Sequence, residues 1–165
     1  MFKKLFKGKS DDEGNILAPM KGKVIKLEDV PDPTFSEKMM GDGLAIEPSE
    51  GRVVSPSKGK VVQMFPTKHA VGIETENGVE VLIHIGLETV SMDGDGFEAH
   101  VEANARVKPG DVLVTFDMNK VQEKAASTIS PIIVTNGQNG DQMEKTSEEE
   151  VEAGETTLFT YHKGS

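Results

Sequence analysis

The residues of this chain best suited to chemistry near neutral pH are its histidines, at positions 69, 84, 100 and 162. Imidazole titrates in this range and can act as a base, a nucleophile or a metal ligand. The chain contains no cysteine, which excludes thiolate nucleophiles, disulfides and cysteine-based zinc or iron–sulfur sites. It also lacks a G-x-S-x-G elbow, a phosphate-binding P-loop and an H-E-x-x-H motif. We interpret His100 and His162 as surface residues, which leaves His69 and His84.

A predicted hairpin links these two histidines. Asn77-Gly78 lies between two β-rich runs, and this dipeptide favours a two-residue type I′ turn. With that turn Val71 faces His84, and strand alternation puts His69 on the same face as a diagonal neighbour, about 7 to 8 Å away. A four-residue loop sets the two histidines opposite each other, whereas a three-residue loop separates them unless a bulge intervenes. The sequence therefore predicts two imidazoles able to hold one small group between them.

Two neighbouring residues suit a working site. Thr67 is two residues before His69, so its hydroxyl is placed to hold one ring nitrogen. A histidine nucleophile needs one bare nitrogen while its other nitrogen keeps the proton. Gly86, two residues after His84, leaves room for a partner at the opening. On spacing alone the alternative stays open that one histidine is a buried, satisfied side chain and the other is polar surface.

Short β-rich runs must position these side chains. The 17 glycines and 8 prolines are spread along the chain, and such regular turns are typical of an all-β sandwich or barrel. Residues 118–126 are instead helix formers, and they follow Asp117, a candidate N-cap. We predict an antiparallel all-β fold with one or two short helices. The predicted strands cover residues 23–27, 43–46, 52–54, 61–65, 71–75, 79–85, 112–116, 132–134 and 157–161.

Two pairs of segments repeat within the chain. Residues 18–25 read APMKGKVI and residues 55–62 read SPSKGKVV, an offset of 37 positions. A weaker pair is VKPGDVL at residues 107–113 and VEAGETT at residues 151–157. Repeats of this kind predict duplicated strand–turn–strand units, each burying the apolar face of the other. The alternative is a shared turn signature, with Lys-Gly ahead of a strand.

The composition limits the class of protein. The 165 residues suit one domain, and 28 acidic against 18 basic residues give a formal net charge of −10, which disfavours nucleic acid as a partner. Apolar runs fall far short of the roughly 20 residues that span a bilayer. The start MFKKLFK is basic and apolar like that of a signal peptide, but no extended apolar region or small-residue cleavage site follows it. We expect a soluble, cytoplasmic monomer. Residues 1–15 are expected to form a flexible tail ahead of one domain over residues 16–165. The basic apolar start is compatible with weak membrane-surface contact by a stand-alone protein, and equally with a domain of a longer permease.

The segment around His84 resembles a known family. Residues 78–90, GVEVLIHIGLETV, closely resemble the signature of the glucose-type IIA proteins of the bacterial phosphoenolpyruvate:sugar phosphotransferase system (PTS). Similar agreement extends from residue 16 to about residue 161. It includes VPD at 30–32, FSEK at 35–38, GDG at 41–43 and FPTKHA at 65–70.

This resemblance implies a phosphocarrier with an antiparallel β-sandwich or barrel fold. By the resemblance, His84 accepts a phosphoryl group on Nε2 from the phosphohistidine of the carrier protein HPr. It then passes the group to a cysteine of the IIB domain of a sugar permease, so the protein transfers phosphate without turning over a small molecule. His69 occupies the position that stabilises the phosphoryl group, and Thr67 the position that orients His69.

The resemblance also implies a shallow apolar depression with an acidic rim that docks both partners. Its matching positions are Asp32, Phe35, Met39, Met40, Phe65, Val71, Leu82 and Glu88. Core packing is the alternative for each apolar position; we favour the interface for Phe35 and the two methionines, because flexible Met side chains adapt to unlike partners. The acidic rim would attract a basic carrier. Glu88 departs from the family's usual Asp, and Pro33-Thr34 replaces a more apolar pair.

Two other classes of protein remain as alternatives. A zinc hydrolase on a related barrel would use His69 and His84 as ligands, but catalytic zinc usually takes three protein ligands, and an H-x-H pair is absent. A lipoyl- or biotinyl-like carrier is suggested by APMKGKVI and VKPGDVL, but the Met-Lys-Met and Asp-Lys-Ala settings of such lysines are absent. We expect no cofactor, apart from adventitious zinc at the two histidines.

Overall fold

A computed structural model describes residues 14–164 of the chain, so the predicted tail lies outside the described residues except at its last two positions. The strands are β1 (Asn15–Leu17), β2 (Gly22–Lys26), β3 (Asp42–Pro48), β4 (Arg52–Val54), β5 (Gly59–Met64), β6 (Ala70–Thr75), β7 (Glu80–His84), β8 (Phe97–Ala99), β9 (Arg106–Val107), β10 (Val112–Phe116), β11 (Ser130–Val134), β12 (Gln142–Lys145), β13 (Glu150–Val151) and β14 (Thr157–His162). The helices are α1 (Pro33–Ser36) and α2 (Met118–Lys124), with 3-10 turns at Leu27–Asp29 and Thr89–Met92.

The strands form three antiparallel sheets. The largest has eight strands in the order β13-β2-β3-β11-β7-β6-β5-β9, and the smaller two have the orders β1-β14-β12 and β4-β10-β8. The predicted antiparallel all-β fold and each of its nine predicted strands are confirmed. The predicted helix is confirmed as α2, and the Asp117 carboxylate caps it by accepting from the amides of Asn119 and Lys120 at 3.0 and 3.2 Å. No helix within residues 14–164 has the length and hydropathy to cross a bilayer.

The two repeated segments exchange equivalent backbone hydrogen bonds. The Leu17 amide donates to the Pro56 carbonyl at 2.9 Å. The Val54 amide donates to the Pro19 carbonyl at 2.7 Å. Val54 lies 37 positions after Leu17, and Pro56 lies 37 positions after Pro19, so each segment donates one of the two equivalent bonds and accepts the other. The two segments are therefore related by an approximate two-fold axis that passes between them.

The weaker repeat follows the same symmetry. The Gly154 amide donates to the Ala18 carbonyl at 2.8 Å, and the Gly110 amide donates to the equivalent Ser55 carbonyl at 3.0 Å. Strand β13 pairs with β2 just as β9 pairs with β5. The prediction of duplicated strand–turn–strand units is confirmed, and each unit completes the backbone hydrogen bonding of the other.

The central strands bury side chains on both of their faces. Val71 and Ile73 of β6 enter the main core, which lies between the large sheet and the two small ones, whereas Ala70 enters a second cluster. This second cluster contains Leu27, Val30, Phe35, Ala45, Ala70, Leu82, Leu87 and Ile133. Phe35 of α1 is 4% exposed, and burial of such a side chain contributes roughly 1.5–3 kcal/mol. Helix α1 thus covers the face on which His84 lies.

The hairpin between β6 and β7 differs from the predicted one. Ala70 pairs with His84, and Val71 pairs with Ile83, so the register corresponds to a three-residue loop. Gly78 has a φ of +85°, whereas Asn77 has a negative φ, which excludes a type I′ turn. The prediction that Val71 faces His84 is therefore wrong.

The Thr75 side chain explains the longer loop. Its hydroxyl donates to the Asn77 side-chain oxygen and accepts from the Val79 amide at 3.1 Å. The Thr75 amide donates to the Val79 carbonyl, and Gly78 occupies the left-handed position that closes a three-residue hairpin loop. A buried side chain at the end of β6 thus decides the register.

Candidate functional site

The rings of His69 and His84 meet at one end of the hairpin. Their centroids are 5.0 Å apart and their planes are inclined by 78°. His69 precedes β6 and follows Lys68, which has a left-handed φ of +61° and donates its amide to the Phe65 carbonyl. In a regular strand with this three-residue loop, His69 and His84 would point to opposite faces of the hairpin. Because His69 lies outside β6 and follows a left-handed residue, its ring instead approaches that of His84. The predicted proximity is confirmed, for a reason that differs from the predicted one.

His84 is held in a single tautomer. Its Nδ1 lies 2.8 Å from the Gly86 carbonyl oxygen, and because a carbonyl only accepts, Nδ1 donates and Nε2 is left bare. Burial lowers the pKa of His84, while the Gly86 hydrogen bond and the nearby Asp32 carboxylate act in the opposite direction. His84 thus presents an unprotonated Nε2 at neutral pH.

His69 is more buried than His84, with 6% of its surface exposed. Its burial, and secondarily the charge of His84, lower the pKa of His69 from 6.5 to about 4. The Thr67 hydroxyl forms a hydrogen bond with Nδ1 of His69, as the sequence spacing predicts. That bond fixes the ring orientation and leaves Nε2 of His69 as its second polar atom.

Two aromatic rings pack against the histidine pair. Phe35 lies 5.1 Å from His84 and Phe65 lies 5.4 Å from His69, both measured between ring centroids. The Asp32 carboxylate caps α1 by accepting from the Thr34 amide at 3.0 Å, which explains how this short helix starts. Helix α1 therefore brings both an apolar ring and a negative charge to His84.

The predicted docking residues differ widely in exposure. Met39 and Met40 are 70% and 42% exposed, Glu88 is exposed, and Asp32 and Phe65 are half-buried. Phe35, Leu82 and Val71 are buried. Val71 has no exposed surface and packs in the main core on the other face of β6, so its prediction as a docking residue is wrong. A hairpin register shifted by one residue moves every side chain to the other face.

Residues 14–140 match the model of the family described as phosphoenolpyruvate-dependent sugar phosphotransferase system, EIIA 1. The chain belongs to this family. Among its relatives, a protein of Halalkalibacterium halodurans named PTS system glucose-specific EIIA component is 54% identical, with 97% of both chains covered. A Staphylococcus epidermidis protein of the same name is 53% identical, with 96% of this chain and 97% of the relative covered.

A solved structure supports the EIIA 1 assignment. The glucose permease IIA from Mycoplasma capricolum superposes with a TM-score of 0.83 at 47% identity, covering 88% of this chain and 94% of that one. The family resemblance seen in residues 78–90 is thus confirmed, together with the β-sandwich fold. Within residues 14–164, no group of three or more His, Asp or Glu side chains is arranged to hold a metal ion.

The histidine pair makes the stability of this EIIA 1 protein depend on pH. Because the folded state lowers the pKa of His69 from 6.5 to about 4 and lowers the pKa of His84, the unfolded chain binds more protons below pH 6.5. We expect the free energy of unfolding to fall as the pH drops from 6.5 to about 4, by roughly 3 kcal/mol from His69 alone.

Urea denaturation across that pH range measures the effect. The glutamine in His69→Gln has no titratable group. The pH dependence that comes from the carboxylates is the same in both proteins, so it cancels in the difference between their free energies of unfolding. That difference should change with pH by the amount given above. A difference independent of pH would contradict a neutral, buried His69.

Gly86 serves a different purpose from the predicted one. It is buried, and an added Cβ would lie 2.8 Å from Cγ2 of Thr89 and 2.9 Å from the Ser127 carbonyl oxygen, inside the fold rather than at its opening. Its φ of +72° also disfavours any side chain. We expect Gly86→Ala to lower the free energy of unfolding by about 2–4 kcal/mol.

Gly110→Ala is a matched control for this substitution in urea denaturation. Gly110 has a φ of +91° but nothing within 4 Å of an added Cβ, so its substitution reports backbone strain without the steric clash. Gly86→Ala should be the more destabilising of the two. Equal losses would show that the close approach of Thr89 and Ser127 to Gly86 is unimportant.

Two buried hydroxyls beside the site were not predicted from the sequence. Ser130 accepts from the Gly86 amide at 3.0 Å, and Thr89 donates to the Ile85 carbonyl at 2.6 Å. Both residues have 0% exposure. Ser130 lies 44 positions from Gly86, on another strand, so local sequence gives no signal for this contact.

Proposed function

We propose that this EIIA 1 chain is a cytoplasmic phosphocarrier of a glucose-type PTS. His84 accepts a phosphoryl group on Nε2 from phospho-HPr and donates it to a cysteine of the IIB domain of a sugar permease. The observation that supports this role most directly is the hydrogen bond from Nδ1 of His84 to the Gly86 carbonyl, because it leaves Nε2 bare.

Each transfer exchanges one bond to phosphorus for another. The Nε2 lone pair of His84 attacks phosphorus, the phosphorus–nitrogen bond in phospho-HPr breaks, and the HPr imidazole keeps the electron pair. In the second step a cysteine thiolate attacks, and the electron pair of the broken bond returns to His84. The transition states are loose, with charge spread over the phosphoryl oxygens, so the protein acts by positioning and by hydrogen bonding.

His69 is placed to donate one of those hydrogen bonds. We assign the Thr67 hydroxyl as the donor to Nδ1, which puts the proton of the His69 ring on Nε2. The centroid of this ring lies 5.0 Å from that of His84. A pKa near 4 keeps the ring neutral in the unphosphorylated protein, so it offers the incoming phosphoryl group a hydrogen bond without a full positive charge. This balance suits a group that must be handed on, because a strongly held phosphohistidine would transfer slowly.

The surface around α1 suits the docking of two unlike partners. Met39 and Met40 expose flexible apolar side chains, and Phe65 contributes a half-buried ring beside His69. Asp32 and Glu88 supply negative charge that would speed encounter with a basic carrier. Phe35 and Leu82 are buried, so we assign them to the floor of this surface and not to direct contact.

Reconstituted phosphorylation tests the proposal. The protein is incubated with phosphoenolpyruvate, the first enzyme of the system and HPr, and it is then analysed by intact mass and phosphorus NMR. We expect one phosphate, labile to acid and stable to alkali, that is lost on addition of a IIB domain. No label, or an acid-stable ester, would contradict a phosphohistidine carrier.

A further inference from the structure

The first residue of β11 and the segment just before it hold the turn that follows His84. The Ser130 hydroxyl accepts from the Gly86 amide at 3.0 Å and donates to the Thr128 carbonyl at 2.9 Å. The Ser127 carbonyl accepts from the Leu87 amide at 2.9 Å. Both peptide planes that flank the Gly86 α-carbon are therefore bonded to residues 127–130.

The Gly86 carbonyl belongs to the second of these planes, and it is the acceptor for Nδ1 of His84. The Ser127 carbonyl holds this second plane through the Leu87 amide and Ser130 holds the first plane, so the direction of the Gly86 carbonyl depends on both bonds. Ser130 is the only side chain among the residues described that bonds the Gly86 amide, and it has no exposed surface. Without its hydroxyl the buried amide would lack a partner, which is unfavourable enough to favour a shift of the turn.

We propose that Ser130 is a positioning residue that sets the tautomer of His84 through Gly86. Among the described residues, no hydrogen bond joins Ser130 to either ring of the pair; Ser130 acts by holding the amide of Gly86, the residue whose carbonyl accepts the Nδ1 proton. If the carbonyl moves away, the proton can occupy Nε2 instead, and that tautomer has no lone pair at the nitrogen proposed as the nucleophile. The consequence for phosphoryl transfer rests on the function proposed above, whereas the tautomer itself does not.

Nitrogen NMR of the unphosphorylated protein tests the tautomer directly. Histidine is labelled with ¹⁵N, and long-range proton–nitrogen correlations are recorded at about pH 8, above the usual imidazole pKa. We expect His84 of the wild type to show a protonated Nδ1 and a bare Nε2. Ser130→Ala should show averaged ring-nitrogen shifts, with protonated Nε2 populated.

Ser130→Thr and Ser130→Val form a matched pair of equal shape, of which only the threonine keeps the hydroxyl. We expect the wild-type tautomer in Ser130→Thr and a mixture in Ser130→Val. Ser55→Ala is the control for loss of a buried serine elsewhere, because Ser55 has 0% exposure and donates to the Ser57 carbonyl at 2.7 Å. It should leave the His84 spectrum unchanged.

The rate of phosphorylation by phospho-HPr is then compared among the same variants. We expect Ser130→Ala and Ser130→Val to be roughly two- to tenfold slower, as loss of one hydrogen bond implies, with recovery in Ser130→Thr. Unchanged ring-nitrogen shifts in Ser130→Ala, or equal loss in the threonine and valine variants, would overturn the role of the hydroxyl. A wild-type protein with the expected tautomer but no labelling would instead refute the proposed function alone.

Discussion

Replacement of His84 by alanine should abolish phosphorylation by phospho-HPr, with a loss of at least about a thousandfold in rate. The Nε2 of His84 is the bare nitrogen that the Gly86 hydrogen bond makes available. His69 cannot take its place, because 6% exposure leaves that ring little access to a docked carrier. The measurement is acid-labile phosphate, followed by intact mass and phosphorus NMR.

His100→Ala is the control for the loss of an imidazole as such. His100 is exposed and bonds the Thr115 hydroxyl at 2.8 Å through Nε2, apart from the pair. This variant should be labelled like the wild type. Label that persists on His84→Ala, with its circular dichroism spectrum intact, would refute His84 as the acceptor.

Replacement of His69 by alanine should leave acceptance from phospho-HPr within about tenfold of wild type and slow donation to the IIB domain by about 10²–10³-fold. A cysteine thiolate brings a negative charge toward an already anionic phosphoryl group, whereas the imidazole of HPr leaves as a neutral group. We therefore expect the proposed hydrogen bond from His69 to matter more in the second transfer. Rapid-quench single turnovers of the phosphorylated protein measure each step separately.

His69→Gln separates the hydrogen bond from the packing of the ring. Glutamine retains an N–H donor at this position, so donation should recover in part relative to His69→Ala. The two variants must first show the same phosphohistidine content. Donation by His69→Ala at the wild-type rate would remove the stabilising role, and equal loss in both transfers would contradict the asymmetry.

The regular apolar runs allowed the strands to be predicted from the sequence. The main error was the length of the loop between β6 and β7, which decides the face on which each side chain lies. The Asn77-Gly78 pair indicated the turn correctly, but the bonds made by the Thr75 hydroxyl lengthen the loop by one residue. Because of this one-residue difference, the Val71 side chain lies in the main core. Proximity of His69 and His84 was predicted correctly, because a left-handed Lys68 compensates for the change.

Other elements were not predicted because their signals are short or distant. Strands β1, β8, β9 and β13 have only two or three residues, and β12 is polar, so none shows a sustained pattern. Helix α1 spans four residues, although Asp32 as N-cap and Pro33 at its first position were visible signals. The contact of Ser130 with Gly86 depends on tertiary structure alone.

The pairing of β1 with β14 has a consequence for how the protein is made. Asn15 pairs with Thr160, 145 positions further along the chain, and the Ala18 carbonyl accepts its hydrogen bond from the similarly distant segment that contains Gly154. During synthesis on the ribosome the sandwich therefore stays incomplete until residue 160 has emerged. Contacts of such long sequence separation fold slowly, in the millisecond-to-second range typical of all-β proteins. The nascent chain must stay free of aggregation over that interval, and its high acidic charge helps to keep neighbouring chains apart.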